Sequence, residues 1–240
     1  MTDSGKVALV TGGNKGIGFE VARQLARLDH RVVIGARDEN RGRAAAEALR
    51  SGDAEASYVV LDVGAPGTVT AAIAAIEKQY GRLDVLVNNA GTAPAEGPPS
   101  EVPLDTLRDT YATNVFGLVA VTQAALPLLR RAVGGRIVNL SSGAGSLTVI
   151  SAPDWRPEWN GLAYNTSKSA VNAVTVAFAT ELRPTPIKVN AVNPGYTRTD
   201  MSPDADRPAS AGAAVVVRYA TLPADGPTGG FFDENGPVPW

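Results

Sequence analysis

Tyr164 and Lys168 are the two residues of this 240-residue chain whose types and spacing best suit proton transfer. They bound the stretch YNTSK, which is predicted to be helical, and residues four apart share one face of a helix. The ammonium of Lys168 would then lie near the phenol of Tyr164 and favour its phenolate form. The interacting pair predicts a Tyr164 pKa below the usual value of about 10, in the range of a useful general acid. The alternative, on spacing alone, is a solvated pair on the helix surface.

A glycine-rich turn follows the first predicted strand, in the stretch Thr11-Gly-Gly-Asn-Lys-Gly-Ile-Gly18. Glycines let the backbone approach a pyrophosphate, whose charge suits the N–H groups and the positive dipole end of the following helix. The spacing is Gly12-x3-Gly16-x-Gly18, which differs from the general G-x-G-x-x-G fingerprint. The alternative is a glycine-rich surface turn, but the position directly after a strand favours a dinucleotide site.

Arg37 follows the second predicted strand, 19 residues beyond Gly18. An NAD-binding unit normally offers a carboxylate to the ribose 2′-hydroxyl at about this distance, whereas a guanidinium suits a 2′-phosphate. Lys15, inside the glycine turn, is a candidate for a second positive charge. The alternative is an ordinary surface ion pair between Arg37 and Asp38.

Short apolar runs that alternate with helical segments position these residues. Strands are predicted at 6–10, 31–34, 57–61, 83–87, 136–140 and 187–192. Helices are predicted at 16–29, 40–50, 65–80, 104–132 and 162–182. This alternation indicates an α/β fold, a Rossmann-type doubly wound parallel sheet flanked by helices on both faces. No linker divides the chain, so residues 1–240 are predicted to form a single dinucleotide-binding and catalytic domain.

Composition excludes several classes of function. The chain has no cysteine and one histidine, His30, so no metal site is expected. The net charge is −2 without a basic block, which argues against a nucleic-acid partner. The N-terminus lacks a signal-peptide pattern, and no apolar run approaches the roughly 18 residues of a membrane span. We expect a cytoplasmic protein with no membrane partner.

Seven short stretches occur in the order typical of one enzyme family. They are TGGNKGIG at 11–18, LDV at 61–63, NNAG at 88–91, TNVFG around Asn114, SSGAG at 141–145, YNTSK at 164–168 and NPGYTRT at 193–199. Together they resemble the short-chain dehydrogenase/reductase family over almost the whole chain. Within it the chain is most similar to the NADPH-dependent carbonyl reductases, through TGGNKGIG, GARD followed by RG, and LPADGPTGGFF. The resemblance implies hydride transfer from NADP(H) to an aldehyde or ketone carbonyl.

The resemblance also implies the catalytic roles of four residues. Tyr164 would be the proton donor, and Lys168 would lower its pKa and hold the nicotinamide ribose. Ser142, rather than Ser141, would position the substrate oxygen. Asn114 would hold a water that links Lys168 to bulk solvent.

A larger set of cofactor contacts is implied in the same way. The glycine turn would bind the pyrophosphate, LDV the adenine, NNAG the cofactor groove and NPGYTRT the nicotinamide. The implied cofactor-binding residues are Gly12, Asn14, Lys15, Gly16, Ile17, Gly18, Arg37, Asp62, Val63, Asn88, Ala90, Gly91, Tyr164, Lys168, Pro194, Gly195 and Thr197. For Asn88 and Asn89 a turn held by side-chain hydrogen bonds is the structural alternative.

The chain departs from short family members between Ser142 and Tyr164, which lie 22 residues apart instead of about a dozen. The additional residues include Trp155 and Trp159, which either shape the substrate pocket or pack the insertion onto the core. The pocket is predicted to form from residues 92–100, 143–163 and 196–212, which do not identify the small-molecule substrate.

Two other functions share parts of this sequence. An alcohol or steroid dehydrogenase running in the oxidative direction would use the same residues, although Arg37 with Lys15 favours NADPH and hence reduction. A non-catalytic dinucleotide-sensing protein would share the fold. It would have no need of a proton-transfer set that includes Tyr164 and Lys168.

Two predicted helices are apolar on nearly every face, at 115–129 and 171–178. One side of such a helix packs on the sheet, and the other needs a second cover. The surplus of about nine residues before Tyr164 would span ~14 Å as a helix, too short to cover the whole stripe. We therefore expect a homodimer that pairs residues 112–131 and 162–182 across a two-fold axis, with a monomer as the alternative.

Overall fold

The computed structural model describes residues 5–52, 54–155 and 161–240, and over these residues eight strands form one sheet. All six predicted strands are present, each within two residues of its predicted bounds. The strands are β1 (Val7–Thr11), β2 (Arg31–Ala36), β3 (Ala56–Val60), β4 (Val85–Asn88), β5 (Arg136–Leu140), β6 (Lys188–Val192), β7 (Phe231–Asp233) and β8 (Gly236–Pro237).

The strand order is β3-β2-β1-β4-β5-β6-β7-β8, and all neighbours are parallel except β7 and β8. The chain builds outward from β1 through β2 to β3, then returns to β4 on the other side of β1. Loops from β1 and β4 therefore diverge at the carboxyl edge of the sheet, which is where doubly wound sheets bind ligands. The predicted fold class is confirmed.

Helices cover both faces of the sheet. One face packs against α1, α2 and α8, and the other against α3, α5 and α7. Alternate strand residues such as Leu9 and Val10 are fully buried on opposite faces, which explains the near-continuous apolar strands. The helices are α1 (Gly16–Ala26), α2 (Glu39–Arg50), α3 (Pro66–Tyr80), α4 (Leu104–Tyr111), α5 (Leu118–Leu129), α6 (Leu147–Ile150), α7 (Leu162–Glu181) and α8 (Ala209–Ala220).

The predicted helical region at 104–132 is confirmed for residues 104–129, which are helical without a break but not α-helical throughout. Residues Ala112–Gly117 form a π-helical turn between α4 and α5. A Cβ at Gly117 would lie 2.8 Å from the Cβ of Val63, so glycine lets this turn press against the loop after β3. Short π-helical segments are frequent at functional sites, and this one contains Asn114.

The segment Leu104–Leu129 is long and apolar enough to cross a membrane by length and composition, with a mean hydropathy of 1.5. The expectation that no apolar run approaches this length is therefore wrong. Within the protein, 56% of the apolar window is buried, and Val121, Ala125 and Leu129 pack in the core beneath the sheet. A buried core helix passes the same composition test, so the segment is weak support for a membrane span.

Three elements near the C-terminus lie outside the predicted set. α8 completes the cover of one sheet face, and β7 extends the sheet beside β6. β7 and β8 have three and two residues, too few for an alternating pattern to mark them.

Candidate active site

The glycine turn joins β1 to α1 and is tied to the end of β4. Gly12 has a φ of 63°, in the left-handed region that favours glycine, and a Cβ at Gly18 would lie 2.7 Å from the Gly12 carbonyl oxygen. The side-chain nitrogen of Asn89 donates to the Thr11 carbonyl oxygen at 2.8 Å, and the Asn89 N–H donates to the Thr11 hydroxyl at 3.0 Å. These bonds fix the loops of two neighbouring strands against each other.

The N-terminus of α1 suits an anion. Its N-cap residue, Lys15, makes no side-chain hydrogen bond to the first turn, and that turn contains no acidic residue. N–H groups left without a side-chain cap, at the positive end of a helix, are the usual partners of a pyrophosphate. Asn14 and Gly16 are partly exposed in the turn, and Ile17 packs against the core. The residues present therefore fit the dinucleotide that the sequence implies.

Arg37 is exposed after β2, and no carboxylate of the described residues pairs with it. The alternative ion pair with Asp38 is absent because the Asp38 carboxylate caps α2, accepting from the Arg41 N–H at 2.9 Å. Lys15 pairs with Asp200 in the loop after β6, and this bond lowers the pKa of Asp200. Arg37 is thus available to a 2′-phosphate, whereas Lys15 is shared with an acid.

The loops after β3 and β4 carry further predicted contacts. Asp62 is partly exposed, whereas Val63 is buried against the π-helical turn. Ala90 and Gly91 are partly exposed, and a Cβ at Gly91 would lie 3.7 Å from the Lys168 Nζ. The NNAG loop therefore runs from the glycine turn to the predicted catalytic lysine.

Asn88 is the predicted groove residue whose side chain the structure places elsewhere. It is 4% exposed, and its amide nitrogen donates to the Asn139 side-chain oxygen at 2.8 Å and to the Thr122 hydroxyl at 3.0 Å. The Asn139 amide continues this chain to the Thr175 hydroxyl at 2.9 Å. The Asn88 side chain therefore joins β4 and β5 to α5 and α7, so a cofactor contact by Asn88 would use its backbone.

Tyr164, Ser142 and Lys168 come together although Ser142 and Tyr164 lie 22 residues apart in the sequence. The Ser142 side chain lies close enough to the phenol of Tyr164 to lower its pKa, and the Lys168 Nζ lies 5.6 Å from the centroid of the tyrosine ring. The Ser141 hydroxyl instead donates to the Lys168 carbonyl oxygen at 3.4 Å. The structure thus brings Ser142, not Ser141, to the phenol.

Burial governs the protonation of this group. It lowers the pKa of Lys168 from 10.5 to about 8, and the Lys168 Nζ donates to the Leu140 carbonyl oxygen at 2.8 Å. Burial also raises the pKa of Tyr164, and the neighbouring Ser142 side chain opposes this rise. The predicted lowering of the Tyr164 pKa is therefore wrong for this structure, because desolvation of the phenol outweighs the effect of Ser142. Tyr164 keeps its proton at neutral pH, and most of Lys168 is an ammonium.

Asn114 lies in the π-helical turn beside this group and is 2% exposed. Its side-chain nitrogen donates to the Thr92 carbonyl oxygen at 2.9 Å and to the Ser167 hydroxyl at 3.0 Å, and its oxygen accepts from the Thr92 N–H at 2.8 Å. The side chain is thus fully engaged in joining the NNAG loop to α7. The water expected at Asn114 stays a prediction.

Pro194, Gly195 and Thr197 lie in the loop after β6, where Gly195 has a φ of 77°. Thr197 is 4% exposed, and its hydroxyl donates to the Gly195 carbonyl oxygen at 2.9 Å. This hydroxyl shapes the turn, so a cofactor contact by Thr197 would use its backbone. The loop continues over the glycine turn, where a Cβ at Gly16 would meet the Thr199 methyl at 3.4 Å.

Three residues that hold the site are missing from the predicted set. Thr11 and Asn89 fix the glycine turn, and their place within the matching motifs was the available signal. The third is Glu96, whose carboxylate accepts hydrogen bonds from the N–H groups of Ala163 and Tyr164. No local signal marks Glu96, because its partners are 67 and 68 residues away.

Several other predicted features lie away from this group or outside the described residues. Among the described residues, no three or more side chains of His, Asp or Glu are grouped to hold a metal ion. His30 lies before β2, at the opposite end of the strands from Tyr164, and burial lowers its pKa. Trp155 is partly exposed in the turns after α6. Trp159 lies outside the described residues.

Comparison with known proteins identifies the family. The short chain dehydrogenase family matches residues 6–209. The chain is 35% identical to carbonyl reductase (NADPH) 1 of Bos taurus over 282 aligned positions, with 100% of each chain covered. It is 33% identical to salutaridine reductase of Papaver bracteatum, covering 95% of this chain and 94% of that one. It is also similar to the crystal structure of NADPH-bound carbonyl reductase from chicken fatty liver, with a TM-score of 0.86, 26% identity and coverage of 98% and 99%. The chain therefore belongs to the short chain dehydrogenase family.

Proposed function

We propose that this protein is an NADPH-dependent reductase that transfers hydride to the carbonyl carbon of an aldehyde or ketone, within a single domain spanning residues 1–240. The observation that carries the proposal is the convergence of Tyr164, Ser142 and Lys168 beside the loop that follows β4. Full-length relatives named as NADPH carbonyl reductases support the same activity. A dinucleotide sensor would have no use for this buried proton-transfer set.

The chemistry follows from the groups present. When bound, NADPH supplies the hydride. Negative charge then develops on the carbonyl oxygen of the substrate, and the hydroxyls of Ser142 and Tyr164 donate hydrogen bonds to it. Tyr164 transfers its proton to that oxygen as general acid. The Lys168 ammonium then stabilises the phenolate that remains.

Two observations are compatible with the reductive direction. Reduction requires a protonated phenol, whereas alcohol oxidation requires a phenolate that accepts a proton. Burial raises the pKa of Tyr164, so the phenol is the dominant form at neutral pH. Arg37 is exposed and pairs with no carboxylate of the described residues, and it supports the same direction because its guanidinium suits the 2′-phosphate of NADPH.

Replacement of the phenol hydroxyl tests the proposal. We expect Tyr164→Phe to abolish reduction of activated carbonyl compounds such as 4-nitrobenzaldehyde, because the proton donor is removed. NADPH affinity should change little, since the glycine turn and Arg37 are untouched. NADPH oxidation is followed at 340 nm, and the dissociation constant is measured by fluorescence titration.

A variant that kept more than a tenth of wild-type turnover would contradict the general-acid role. Ser142→Ala is the companion variant, expected to retain NADPH binding and lose turnover. Folded, NADPH-saturated wild-type protein that reduced no member of a panel of activated aldehydes and ketones would favour the sensor.

We further propose that the protein forms a homodimer through the outer faces of residues 112–129 and α7. Several of the apolar residues of these helices are buried in the core of the protein. Phe116 and Val176, however, are 64% and 40% exposed. Across both segments up to residue 180, the one charged side chain is the buried Lys168. An uncharged, partly apolar face of two adjacent helices suits an isologous contact.

Light scattering after size exclusion tests the assembly. We expect a mass near twice 24.8 kDa at micromolar protein, and dissociation in Val176→Lys. Val133→Lys is the matched control, because Val133 is 97% exposed and lies outside this face. A wild-type mass near 25 kDa that is unchanged on tenfold concentration would show that the chain is a monomer.

A cytoplasmic location belongs to the same proposal, since most cells keep NADPH reduced there. Fractionation of the producing cells tests it, with the protein expected in the soluble fraction. Recovery with membranes would instead point to the apolar segment Leu104–Leu129.

A further inference from the structure

The helix that carries Tyr164 is capped by a residue from a distant loop. α7 begins at Leu162, and its N-cap residue is Gly161, which has no side chain to accept the first free N–H groups. The carboxylate of Glu96 takes that place. Its Oε2 accepts from the Ala163 N–H at 2.8 Å, and its Oε1 accepts from the Tyr164 N–H at 3.0 Å.

These two N–H groups are the second and third of the helix, which an ordinary Ser or Asp cap would satisfy singly. A carboxylate satisfies both and places a negative charge at the positive end of the helix. Glu96 is partly exposed and lies in the loop after β4, which also contains the NNAG stretch. The cap therefore joins the loop beside the cofactor groove to the backbone of the proposed proton donor itself.

We propose that Glu96 is a positioning residue for reduction, which holds the first turn of α7 so that the Tyr164 phenol meets Ser142 and the substrate oxygen. The inference rests on the proposed role of Tyr164. The phenol hydroxyl lies at the far end of its side chain, so fraying of the first turn displaces it relative to the Ser142 hydroxyl. A misplacement of about 1 Å at a reacting group costs roughly 10²-fold in rate.

Removal of the cap should lower turnover without weakening cofactor binding. We expect Glu96→Ala to reduce kcat for 4-nitrobenzaldehyde at least tenfold, with the NADPH dissociation constant within twofold of wild type. The kcat of Glu96→Gln should lie between those of wild type and Glu96→Ala. Its uncharged amide oxygen still accepts one of the two hydrogen bonds. Glu101→Ala removes an exposed carboxylate of the same loop and is the control, with kcat unchanged.

A local cap should restore what the distant one supplied. Gly161 has φ −79° and ψ 118°, which any residue adopts, and a Cβ there would lie 2.9 Å from the Glu96 Oε1. In Glu96→Ala this space is open, so adding Gly161→Asp should recover at least half of the lost kcat. The same Gly161→Asp change in wild type brings two carboxylates together and should lower kcat. Gly161→Asp should thus raise kcat in Glu96→Ala and lower it in wild type, whereas a general stabilisation of the helix would change kcat in the same direction in both.

Amide hydrogen exchange at Ala163 and Tyr164 provides a readout independent of activity, with at least tenfold faster exchange expected at both amides in Glu96→Ala and at one of the two in Glu96→Gln. The inference is overturned if kcat of Glu96→Ala stays within twofold of wild type, or if Gly161→Asp restores protection and thermal stability but not kcat. Full turnover by Tyr164→Phe would instead refute the proposed function, and amide exchange would still decide whether Glu96 holds the turn.

Discussion

Lys168→Met should stabilise the protein while removing its activity, and the size of the gain should depend on pH. Lys168 is 7% exposed, and burial lowers its pKa from 10.5 to about 8. Each pKa unit corresponds to about 1.36 kcal/mol, so keeping the ammonium in the folded protein costs about 3 kcal/mol at pH 7. Methionine has a similar length and no charge, but its introduction leaves the Leu140 carbonyl without the Nζ–H donor, at a cost of about 1–3 kcal/mol. The net gain at pH 7 is therefore about 1 kcal/mol.

The pH dependence is the sharper test, because the lost hydrogen bond contributes equally at every pH. Between pH 8 and 10.5 the unfolded state binds more protons at Lys168 than the folded state does, so wild-type stability rises with pH in this window. The free energy of unfolding of wild type should therefore rise by about 2 kcal/mol relative to that of Lys168→Met between pH 7 and 9.5. Other titrating groups are common to both proteins and cancel.

Urea unfolding followed by tryptophan fluorescence measures this difference at each pH. Lys78→Met, which removes an exposed lysine from α3, is the control for the loss of a lysine as such. A Lys168→Met difference that stays constant from pH 7 to 9.5 would refute the reasoning, since it would mean that Lys168 is protonated alike in both states. Loss of turnover in the same variant would show that the buried charge is retained for function at the expense of stability.

Two further predictions concern cofactor choice. NADPH should bind at least tenfold more tightly than NADH, equivalent to about 1.4 kcal/mol, and Arg37→Asp should reverse the preference. Equal dissociation constants for the two cofactors in wild type would refute the assignment of Arg37. Asp200→Asn should strengthen NADPH binding by about two- to fivefold at low salt, because it frees the Lys15 ammonium from an exposed ion pair. The gain should vanish at high salt. An effect of equal size on NADH binding would show that Lys15 does not contact the 2′-phosphate.

The features that could be predicted from the sequence are those written in local patterns. Strands such as Val7–Thr11 and Arg136–Leu140 are buried on every residue, so a short apolar run marks them directly. Their alternation with helices indicates parallel order, and parallel order places all strand ends at one edge. Ser142 and Tyr164 meet across 22 residues because β5 ends at that edge and α7 begins there, so the length of the intervening segment does not set their separation.

The features that escaped prediction depend on contacts between distant residues. The π-helical turn at Ala112–Gly117 has a sequence compatible with an ordinary helix, and its close approach to Val63, where a Cβ at Gly117 would lie 2.8 Å from the Val63 Cβ, joins residues far apart in the sequence. The rise in the Tyr164 pKa is likewise a matter of burial, which the four-residue spacing to Lys168 does not encode. Asn88 has the right position for a groove residue, but its side chain turns into the core to meet Asn139.

The catalytic segment of α7 is held by loops from two different strands, and this explains why its geometry cannot be derived from the helix alone. The loop after β4 supplies the Glu96 cap and, through Thr92, the support of Asn114, which in turn bonds Ser167. The loop after β5 packs so closely that a Cβ at Gly145 would lie 2.8 Å from the Lys168 carbonyl carbon. A helix in isolation would place a lysine and a tyrosine on one face with both side chains in water and both pKa values near normal. Packing the segment between two loops desolvates both groups, which raises the pKa of Tyr164 and lowers the pKa of Lys168 to about 8.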